Sequence, residues 1–211
     1  MVQIAGPNGC GKTTFYKQFL QPAILSSGKE FAYINADDIA LEMRSSDSAP
    51  VGLDQVLAEQ ARNEADFRRN QLLVEGFKES AIFETVFSDP KGIRIDYLKR
   101  AKAAGYKVVQ IFIAVTDVNL SAKRVEQRVA EGGHDVPFNK QVQRFERSLA
   151  NGRSALEIAD LSLFMDNSQT YVGRTYSHDP VAVFLGSDPL EIENSPPHWF
   201  KAVYGENSDA S

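Results

Sequence analysis

The sequence predicts an α/β domain, a three-layer sandwich in which a mainly parallel sheet carries helices on both faces. Short apolar runs typical of strands alternate with helical runs along the chain, and this alternation favours parallel strands joined by crossover helices. A glycine-rich loop stands at the first strand–helix junction, and acidic side chains follow several later strands. A chain of 211 residues has room for one such domain with a sizeable core.

Six apolar runs have the length and composition of strands. The run at 106–115 has the strongest strand character and is expected at the centre of the sheet, whereas 181–185 is expected at an edge. The other predicted strands are 2–5, 31–34, 81–84 and 161–165. The helices predicted between the strands are 14–20, 54–73, 92–104, 119–130 and 139–149.

The predicted domain covers residues 1–185 and includes an arginine-bearing helical lid at about 118–153. Residues 186–211 are expected to form a tail. Its aromatic residues at 199–200 are predicted to dock on the domain, and its polar end at 205–211 is predicted to be disordered.

Composition and charge argue against several classes of protein. No apolar stretch approaches the ~20 residues that a membrane-spanning helix needs. The net charge of −5 disfavours binding to nucleic acid or to a membrane surface, since both rely on clustered positive charge. Met1 leads directly into the first strand without a basic segment, and Cys10 is the single cysteine. We therefore expect a cytoplasmic protein without a disulfide framework.

The glycine-rich loop has the complete G-x-x-x-x-G-K-T pattern of a phosphate-binding loop. Its glycines let backbone N–H groups fold around phosphate oxygens, and the following helix N-terminus favours anionic charge. Lys12 is placed to reach the β- and γ-phosphates, and Thr13 to offer its hydroxyl to Mg²⁺. The pattern predicts a P-loop NTPase that binds ATP or GTP with Mg²⁺. The predicted nucleotide-binding residues of the loop are Gly6, Pro7, Asn8, Gly9, Cys10, Gly11, Lys12, Thr13 and Thr14.

Acidic side chains follow the predicted strands, at the edge where ligands bind in parallel sheets. A carboxylate there can accept a hydroxyl proton, orient an acceptor, or hold Mg²⁺ through water. Asp37 is predicted to serve the chemistry, and Glu84 with its neighbour Thr85 to contact the substrate. Asp38 and Asp117 each precede a helical pattern and are predicted to be helix N-caps.

Two arginine pairs supply positive charge in the predicted lid. Arg124 and Arg128 lie four apart on one helix, and Arg144 and Arg147 lie three apart on the next. Guanidinium groups stabilise the charge that develops in phosphoryl transfer, and a closing lid excludes water. We expect Arg128, Arg144 or both to bind phosphate, the alternative being a solvated helix face balanced by glutamates. His134 is predicted to be a turn residue rather than a general base.

Five motifs follow one another over about residues 1–170. They are GPNGCGKTT at 6–14, INADDIA at 34–40, FET at 83–85, RVEQRV at 124–129 with GGHDVP at 132–137, and DNS at 166–168. In this order they resemble the zeta-toxin-like P-loop kinases. These are bacterial kinases of toxin–antitoxin systems, and their best-known members phosphorylate UDP-N-acetylglucosamine on a sugar hydroxyl with ATP or GTP.

The resemblance implies a role for each matched position. Lys12 and Thr13 match the phosphate and Mg²⁺ residues, Asp37 matches the catalytic base, and Glu84 matches a substrate-binding glutamate. The remaining matches are Arg128 and Arg144 as lid arginines, with Asp166 and Asn167 on the nucleotide side. The resemblance further implies an antitoxin as a possible protein partner.

One position departs from the family pattern. The best-known zeta toxins have Glu-x-Thr in the substrate strand, whereas this chain reads Glu84-Thr85-Val86. Successive side chains of a strand face opposite ways, so the displaced threonine is expected to turn its hydroxyl from the sugar. The resemblance makes UDP-N-acetylglucosamine the leading acceptor, although this departure weakens the transfer of that substrate. A nucleoside or dinucleotide acceptor without a toxin role is the alternative.

A binding protein without transferase activity is the remaining hypothesis. A regulatory GTPase normally selects guanine with an Asn-Lys-x-Asp loop, and an ABC-type ATPase needs a Leu-Ser-Gly-Gly-Gln signature. Neither sequence occurs in this chain. A nucleotide-binding switch would bind stoichiometrically without turnover.

Overall fold

A computed structural model describes residues 1–45, 54–74, 79–130, 136–169 and 177–204. The strands are β1 (Val2–Ala5), β2 (Ala32–Ile34), β3 (Ala81–Thr85), β4 (Val109–Ala114), β5 (Leu161–Asp166), β6 (Asp179–Leu185) and β7 (Asp188–Ile192). They form one sheet in the order β2-β3-β1-β4-β5-β6-β7. The first five strands are parallel, and β6 and β7 are antiparallel to their neighbours.

The helices are α1 (Lys12–Phe15), α2 (Gln21–Ser27), α3 (Ala36–Ser45), α4 (Asp54–Gln71), α5 (Ile93–Ala103), α6 (Val118–Ala130), α7 (Phe138–Leu156) and α8 (His198–Tyr204). A π-helical segment, Tyr16–Leu20, joins α1 to α2. The run predicted at 14–20 is therefore helical, as expected, but is wound more loosely in its second part.

Two apolar clusters fill the space on the two faces of the sheet. Alternate residues of β4 contribute to them, since Ile111 and Ile113 pack in one cluster and Phe112 and Ala114 in the other. Side chains of α1 complete the cluster that contains Ile111 and Ile113. Side chains of α4, α5 and α8 complete the cluster that contains Phe112 and Ala114. The structure therefore confirms an α/β sandwich with a mainly parallel sheet and helices on both faces.

The far edge of the sheet differs from the sequence prediction. The strand predicted at 181–185 is internal rather than an edge strand, because β7 pairs with its outer side. Residues 188–192, within the predicted tail, form this strand after a two-residue turn that begins at Gly186 with φ 60°. The aromatic residues of α8, Trp199 and Phe200, are buried against the core. Residues 205–211 lie outside the described part of the chain.

Candidate functional site

The phosphate loop, residues 6–13, leaves β1 and enters α1 beneath the carboxyl edge of the sheet. Two of its glycines have no room for a side chain. A Cβ on Gly6 would lie 1.9 Å from the carbonyl oxygen of Ile113, and a Cβ on Gly11 would lie 2.3 Å from Nδ2 of Asn167. Both glycines also have positive φ, at 143° and 93°. The neighbouring strands β4 and β5 therefore fix the shape of the loop.

Lys12 folds back into this loop. Its Nζ donates hydrogen bonds to the carbonyl oxygens of Gly6 at 2.9 Å and Pro7 at 2.8 Å. The ammonium group also lies 3.8 Å from Sγ of the buried Cys10, and burial raises the pKa of that thiol. The positive charge is thus held where phosphate oxygens would bind in a loop of this type.

A hydrogen-bonded chain links the phosphate loop to the end of β2. Oγ1 of Thr13 donates to Oε2 of Glu84 at 2.8 Å. The hydroxyl of Tyr33 donates to Oε1 of the same carboxylate at 2.5 Å, and Nδ2 of Asn35 donates to the Tyr33 oxygen at 3.1 Å. The ring of Tyr16 stacks on that of Tyr33 at 3.7 Å, with 2° between the ring planes.

Glu84 is partly buried, and its surroundings shift the pKa of its carboxyl group. Burial is the largest influence and raises the pKa of the carboxyl group. The hydrogen bond from Tyr33, the charge of Lys12 and the hydrogen bond from Thr13 oppose this effect. Two donors therefore hold both oxygens of one carboxylate beside the phosphate loop.

Asp37 lies in the first turn of α3, with an exposed carboxylate. Its Oδ2 lies 3.5 Å from a guanidinium nitrogen of Arg128 on α6. The structure therefore brings together two residues predicted for the site that are far apart in sequence. Oδ1 of Asn35 accepts a hydrogen bond from the Asp37 amide at 2.9 Å, which fixes the start of α3.

The two predicted helix caps have different outcomes. Oδ1 of Asp117 accepts hydrogen bonds from the amides of Asn119 and Leu120, which confirms Asp117 as the cap of α6. The prediction for Asp38 is wrong, because Asn35 caps α3 and Asp38 lies within the first turn. Burial raises the pKa of Asp38.

Side chains from other elements also contact the backbone of the phosphate loop. Nδ2 of Asn167 donates to the carbonyl of Cys10 at 2.9 Å, and Arg124 donates to the carbonyl of Asn167 at 2.8 Å. Nε2 of His178 lies 3.1 Å from the carbonyl oxygen of Gly11. Burial lowers the pKa of His178, which favours a neutral ring donating to that carbonyl. Asn167 thus reaches the loop backbone from the end of β5.

Asp166 points to a different part of the molecule. Its carboxylate accepts hydrogen bonds from the amide of Ser168 at 2.6 Å and from the hydroxyl of the same residue at 3.0 Å. The indole N–H of Trp199 donates to it at 3.2 Å. These contacts join β5 to α8.

The segment after β3 is tied to α7. Oγ1 of Thr85 accepts a hydrogen bond from the Phe87 amide at 3.0 Å, so this hydroxyl closes a local turn. Phe87 is buried with φ 58°, an uncommon conformation for a bulky residue. Oγ of Ser148 donates to the Val86 carbonyl at 2.5 Å. Arg144 lies on α7 one helical turn before Ser148.

Three residues of this site escaped the sequence analysis as site residues. Tyr33 has the sequence character of a core strand residue, and His178 carries no motif. Asn35 stands two residues before Asp37 in a helix-capping pattern, which was a usable signal. His134 lies outside the described residues.

Within the described ranges, no group of three or more His, Cys, Asp or Glu side chains is arranged to hold a metal ion. None of the helices described is both long and apolar enough to cross a bilayer. The oxygen atoms of Thr13 and Glu84 are hard donors of the kind that Mg²⁺ prefers, and Mg²⁺ is usually held by one or two such groups together with phosphates.

Comparison with known proteins identifies the family. A family model described as zeta toxin matches residues 1–172. No curated protein matches the sequence.

Solved structures share the fold at low sequence identity. A structure of AvrRxo1-ORF1 with AvrRxo1-ORF2 and sulphate ions has a TM-score of 0.70 at 18% identity. The alignment covers 100% of this chain and 65% of that chain. A structure of the same pair with ATP has the same TM-score at 17% identity. The PezAT toxin–antitoxin system of Streptococcus pneumoniae has a TM-score of 0.57 at 17% identity, covering 83% of this chain and 68% of that chain. These likenesses confirm the P-loop NTPase fold.

Proposed function

Since the chain belongs to the zeta toxin family, we propose that it is a kinase that transfers the γ-phosphoryl group of ATP or GTP to a hydroxyl. The acceptor is a nucleotide sugar or a related nucleotide, with UDP-N-acetylglucosamine as the leading candidate. The observation that carries the proposal is the Asp37–Arg128 pair at 3.5 Å. It supplies a carboxylate base and a guanidinium at the edge that bears the phosphate loop.

In this mechanism the nucleotide binds on the phosphate loop, and Lys12 exchanges its two carbonyl partners for β- and γ-phosphate oxygens. Thr13 and Glu84 are the residues that would hold Mg²⁺. Mg²⁺, when bound, neutralises charge on the β- and γ-phosphate oxygens. Tyr33 keeps the Glu84 carboxylate oriented through its hydrogen bond.

Asp37 takes the proton of the acceptor hydroxyl as the acceptor oxygen bonds to the γ-phosphorus. The bond from that phosphorus to the β,γ-bridging oxygen breaks, leaving a nucleoside diphosphate and a phosphorylated acceptor. Arg128 stabilises the charge on the transferred group. Its contact with Asp37 also keeps the lid helix α6 close to the base.

The test is product analysis by mass spectrometry. The full chain is incubated with MgATP or MgGTP and with nucleotide sugars, nucleosides and dinucleotides, one acceptor per reaction. An added phosphate on one acceptor, absent with the Lys12→Ala variant, supports the kinase. Phosphorylation of a nucleoside or dinucleotide alone would favour the alternative acceptor class. Tight nucleotide binding without any phosphorylated product would instead favour a nucleotide-binding switch.

We further propose an antitoxin-like protein as partner. The AvrRxo1 structures are of a pair of proteins, and PezAT is described as a toxin–antitoxin system. This chain spans about 65% of the length of the AvrRxo1 chains it matches, so the partner surface is part of the proposal. Co-expression with the product of a neighbouring gene, followed by co-purification, tests it.

A further inference from the structure

His178 lies directly before β6, at the carboxyl edge of the parallel strands. Because β6 runs antiparallel to β5, its first residue, Asp179, pairs with Asp166 at the end of β5. The chain therefore re-enters the sheet at the edge that bears the phosphate loop. His178 also lies beyond residues 1–172, which the zeta toxin model matches, so no role for it follows from that match.

The side chain of His178 is fixed by its surroundings. It is buried, and its ring makes edge-type contacts with the rings of Phe15 and Phe19, at centroid distances of 5.3 and 5.6 Å. Its backbone has φ 47°, a left-handed conformation that is uncommon outside glycine. Such a conformation persists only where the neighbouring structure holds it. These contacts keep the ring directed at the phosphate loop.

Nε2 of His178 lies 3.1 Å from the carbonyl oxygen of Gly11. A carbonyl oxygen can only accept, so Nε2 is the nitrogen that donates. Burial lowers the pKa of His178, and the charge of Arg124 adds to this effect. The ring is therefore neutral at neutral pH, with its hydrogen on Nε2. The amide of Phe15 donates to the same oxygen at 2.9 Å, so two donors fix the orientation of this carbonyl.

The preceding carbonyl of the loop is held from the same segment. Nδ2 of Asn167 donates to the carbonyl of Cys10 at 2.9 Å, and Oδ1 of Asn167 accepts a hydrogen bond from the amide of Ser177 at 3.0 Å. Ser177 thereby fixes which way the Asn167 amide group points. Ser177 and His178 together thus hold two successive carbonyls of the phosphate loop.

A held carbonyl also orients an N–H group. In a trans peptide the C=O and N–H bonds lie in one plane and point in opposite directions. The two peptide groups concerned carry the amides of Gly11 and Lys12. With their carbonyls directed at Asn167 and His178, the two amides point away from those side chains. Amides oriented together in this way are the donors that a phosphate-binding loop offers to its ligand.

We propose that His178 is a positioning residue for the donor nucleotide, which holds the peptide group between Gly11 and Lys12 so that its N–H donates to a phosphate oxygen. The inference rests on the proposed function, which places the nucleotide on this loop, and deepens it by adding a residue from outside the matched family region. His178 acts through the backbone and contacts neither the nucleotide nor the acceptor.

Two amide variants separate the hydrogen bond from the fit of the side chain. Glutamine carries its amide nitrogen about as far from the backbone as Nε2 of histidine, so His178→Gln retains the donor. Asparagine is shorter and does not reach the Gly11 carbonyl, but it tolerates a left-handed backbone well. A positioning role predicts higher nucleotide affinity in His178→Gln than in His178→Asn. A role limited to backbone conformation predicts the reverse order.

The probes are MgADP and inorganic tripolyphosphate, titrated by calorimetry into the full chain without an acceptor. His178→Asn is expected to weaken the binding of both probes by the same factor, roughly 2- to 12-fold, which is the contribution of one hydrogen bond. His178→Gln is expected to stay within about twofold of wild type. The melting temperature of each variant is measured in parallel. His198→Gln is the matched control, since it makes the same change at an exposed histidine of α8 and should leave binding unchanged.

Wild-type affinity in His178→Asn, or equal losses in the two amide variants, would overturn the proposal. A loss for MgADP with tripolyphosphate unaffected would also overturn it, because His178 would then act on the base or the ribose. His178→Leu, which has no donor, replaces His178→Asn in the comparison if the latter does not fold.

These titrations contain no acceptor, so their outcome is separate from that of the kinase assay. Absence of a phosphorylated product with every acceptor would remove the proposed kinase and leave the positioning role of His178 standing. Phosphoryl transfer by wild type together with unchanged nucleotide binding in His178→Asn would do the opposite.

Discussion

The hydroxyl of Thr13 donates a hydrogen bond to Glu84 at 2.8 Å, joining the phosphate loop to the end of β3. Sequence analysis predicted separate roles for these residues, one at Mg²⁺ and the other at the substrate. Their contact brings the two residues together at one point of the sheet edge. Since Tyr33 holds the second oxygen of Glu84, we expect changes at Glu84 to affect both nucleotide and acceptor.

Replacing Lys12 by alanine should abolish phosphoryl transfer and leave the fold intact. The Lys12 ammonium contacts carbonyls of its own loop, so its removal costs little packing, whereas loss of charge stabilisation in the transition state costs on the order of a hundred- to a thousandfold in kcat. Turnover and thermal unfolding of the same preparation measure the two effects. Turnover above about a tenth of the wild-type rate would contradict the role given to the loop.

The proposed base is tested by comparing two neighbouring carboxylates. Asp37→Asn keeps the shape but removes the proton acceptor, so kcat should fall by about a hundredfold or more with little change in nucleotide affinity. Asp38→Asn should have a small effect on turnover, because Asp38 takes no part in the chemistry proposed above. Single-turnover rates and nucleotide titrations of both variants decide the matter. A larger loss of rate in Asp38→Asn would mean that Asp38, and not Asp37, is the catalytic base.

Asn35 gives a separate prediction for stability. Its side chain accepts a hydrogen bond from the Asp37 amide and donates one to the Tyr33 hydroxyl. Asn35→Ala should therefore lower the free energy of unfolding by about 1 kcal/mol, because the helix cap is lost. Asn35→Asp retains a capping oxygen and serves as the control. Denaturant unfolding of the three proteins measures the difference. Equal losses in the two variants would argue against the cap as the cause.

The partly buried Glu84 carboxyl group predicts a pH dependence of stability. Its pKa in the folded protein is raised above the ordinary value of about 4.3, so over the intervening pH range the folded state holds a proton that the unfolded chain releases. The stability contributed by this group is therefore full below about pH 4.3 and is lost as the pH rises through the folded pKa.

Glu84→Gln removes this titration and is the natural comparison. The melting temperature of wild type minus that of the variant should fall as the pH is raised across the acid range, and then level off. Thermal unfolding in buffers of constant ionic strength measures it. A difference that grows with pH would mean that the hydrogen bonds from Tyr33 and Thr13 outweigh burial.

The sequence predicted the parts of this molecule that have local signals. The phosphate loop, the central strand β4 and the Asp117 cap follow from glycine pattern, apolar run and capping chemistry, all read within a few residues. Strand β7 was missed because its residues are mostly exposed and include Pro189, which is atypical of a strand.

Contacts between distant segments were beyond the same reasoning. The Tyr33–Glu84 bond joins residues 51 apart, and the contact of His178 with Gly11 joins residues 167 apart. In the sequence, Tyr33 has the character of an ordinary strand residue and His178 lies in no motif, so neither contact could be predicted. The position of α7, which carries Arg144, likewise depends on hydrogen bonds to the Val86 and Phe87 carbonyls.

The identity of the acceptor can be approached through the displaced threonine. The hydroxyl oxygen of Thr85 accepts a hydrogen bond from the Phe87 amide. Val86 has no hydroxyl at the position where the best-known zeta toxins have one. UDP-N-acetylglucosamine leads among the acceptors through family membership, but the missing hydroxyl predicts that wild type phosphorylates it less well than another hydroxyl-bearing nucleotide.

Val86→Thr should shift this preference toward UDP-N-acetylglucosamine. One restored hydrogen bond contributes roughly 0.5–1.5 kcal/mol, or about 2- to 12-fold in selectivity. The backbone is expected to tolerate the change, because the Val86 carbonyl is held by Ser148 whatever the side chain. The ratio of kcat/KM values for the two acceptors, measured in competition, gives the shift, with Val86→Ala as a control for lost packing. Efficient wild-type turnover of UDP-N-acetylglucosamine that Val86→Thr leaves unchanged would show that the displacement is neutral, and the acceptor of the best-known zeta toxins would then apply to this chain.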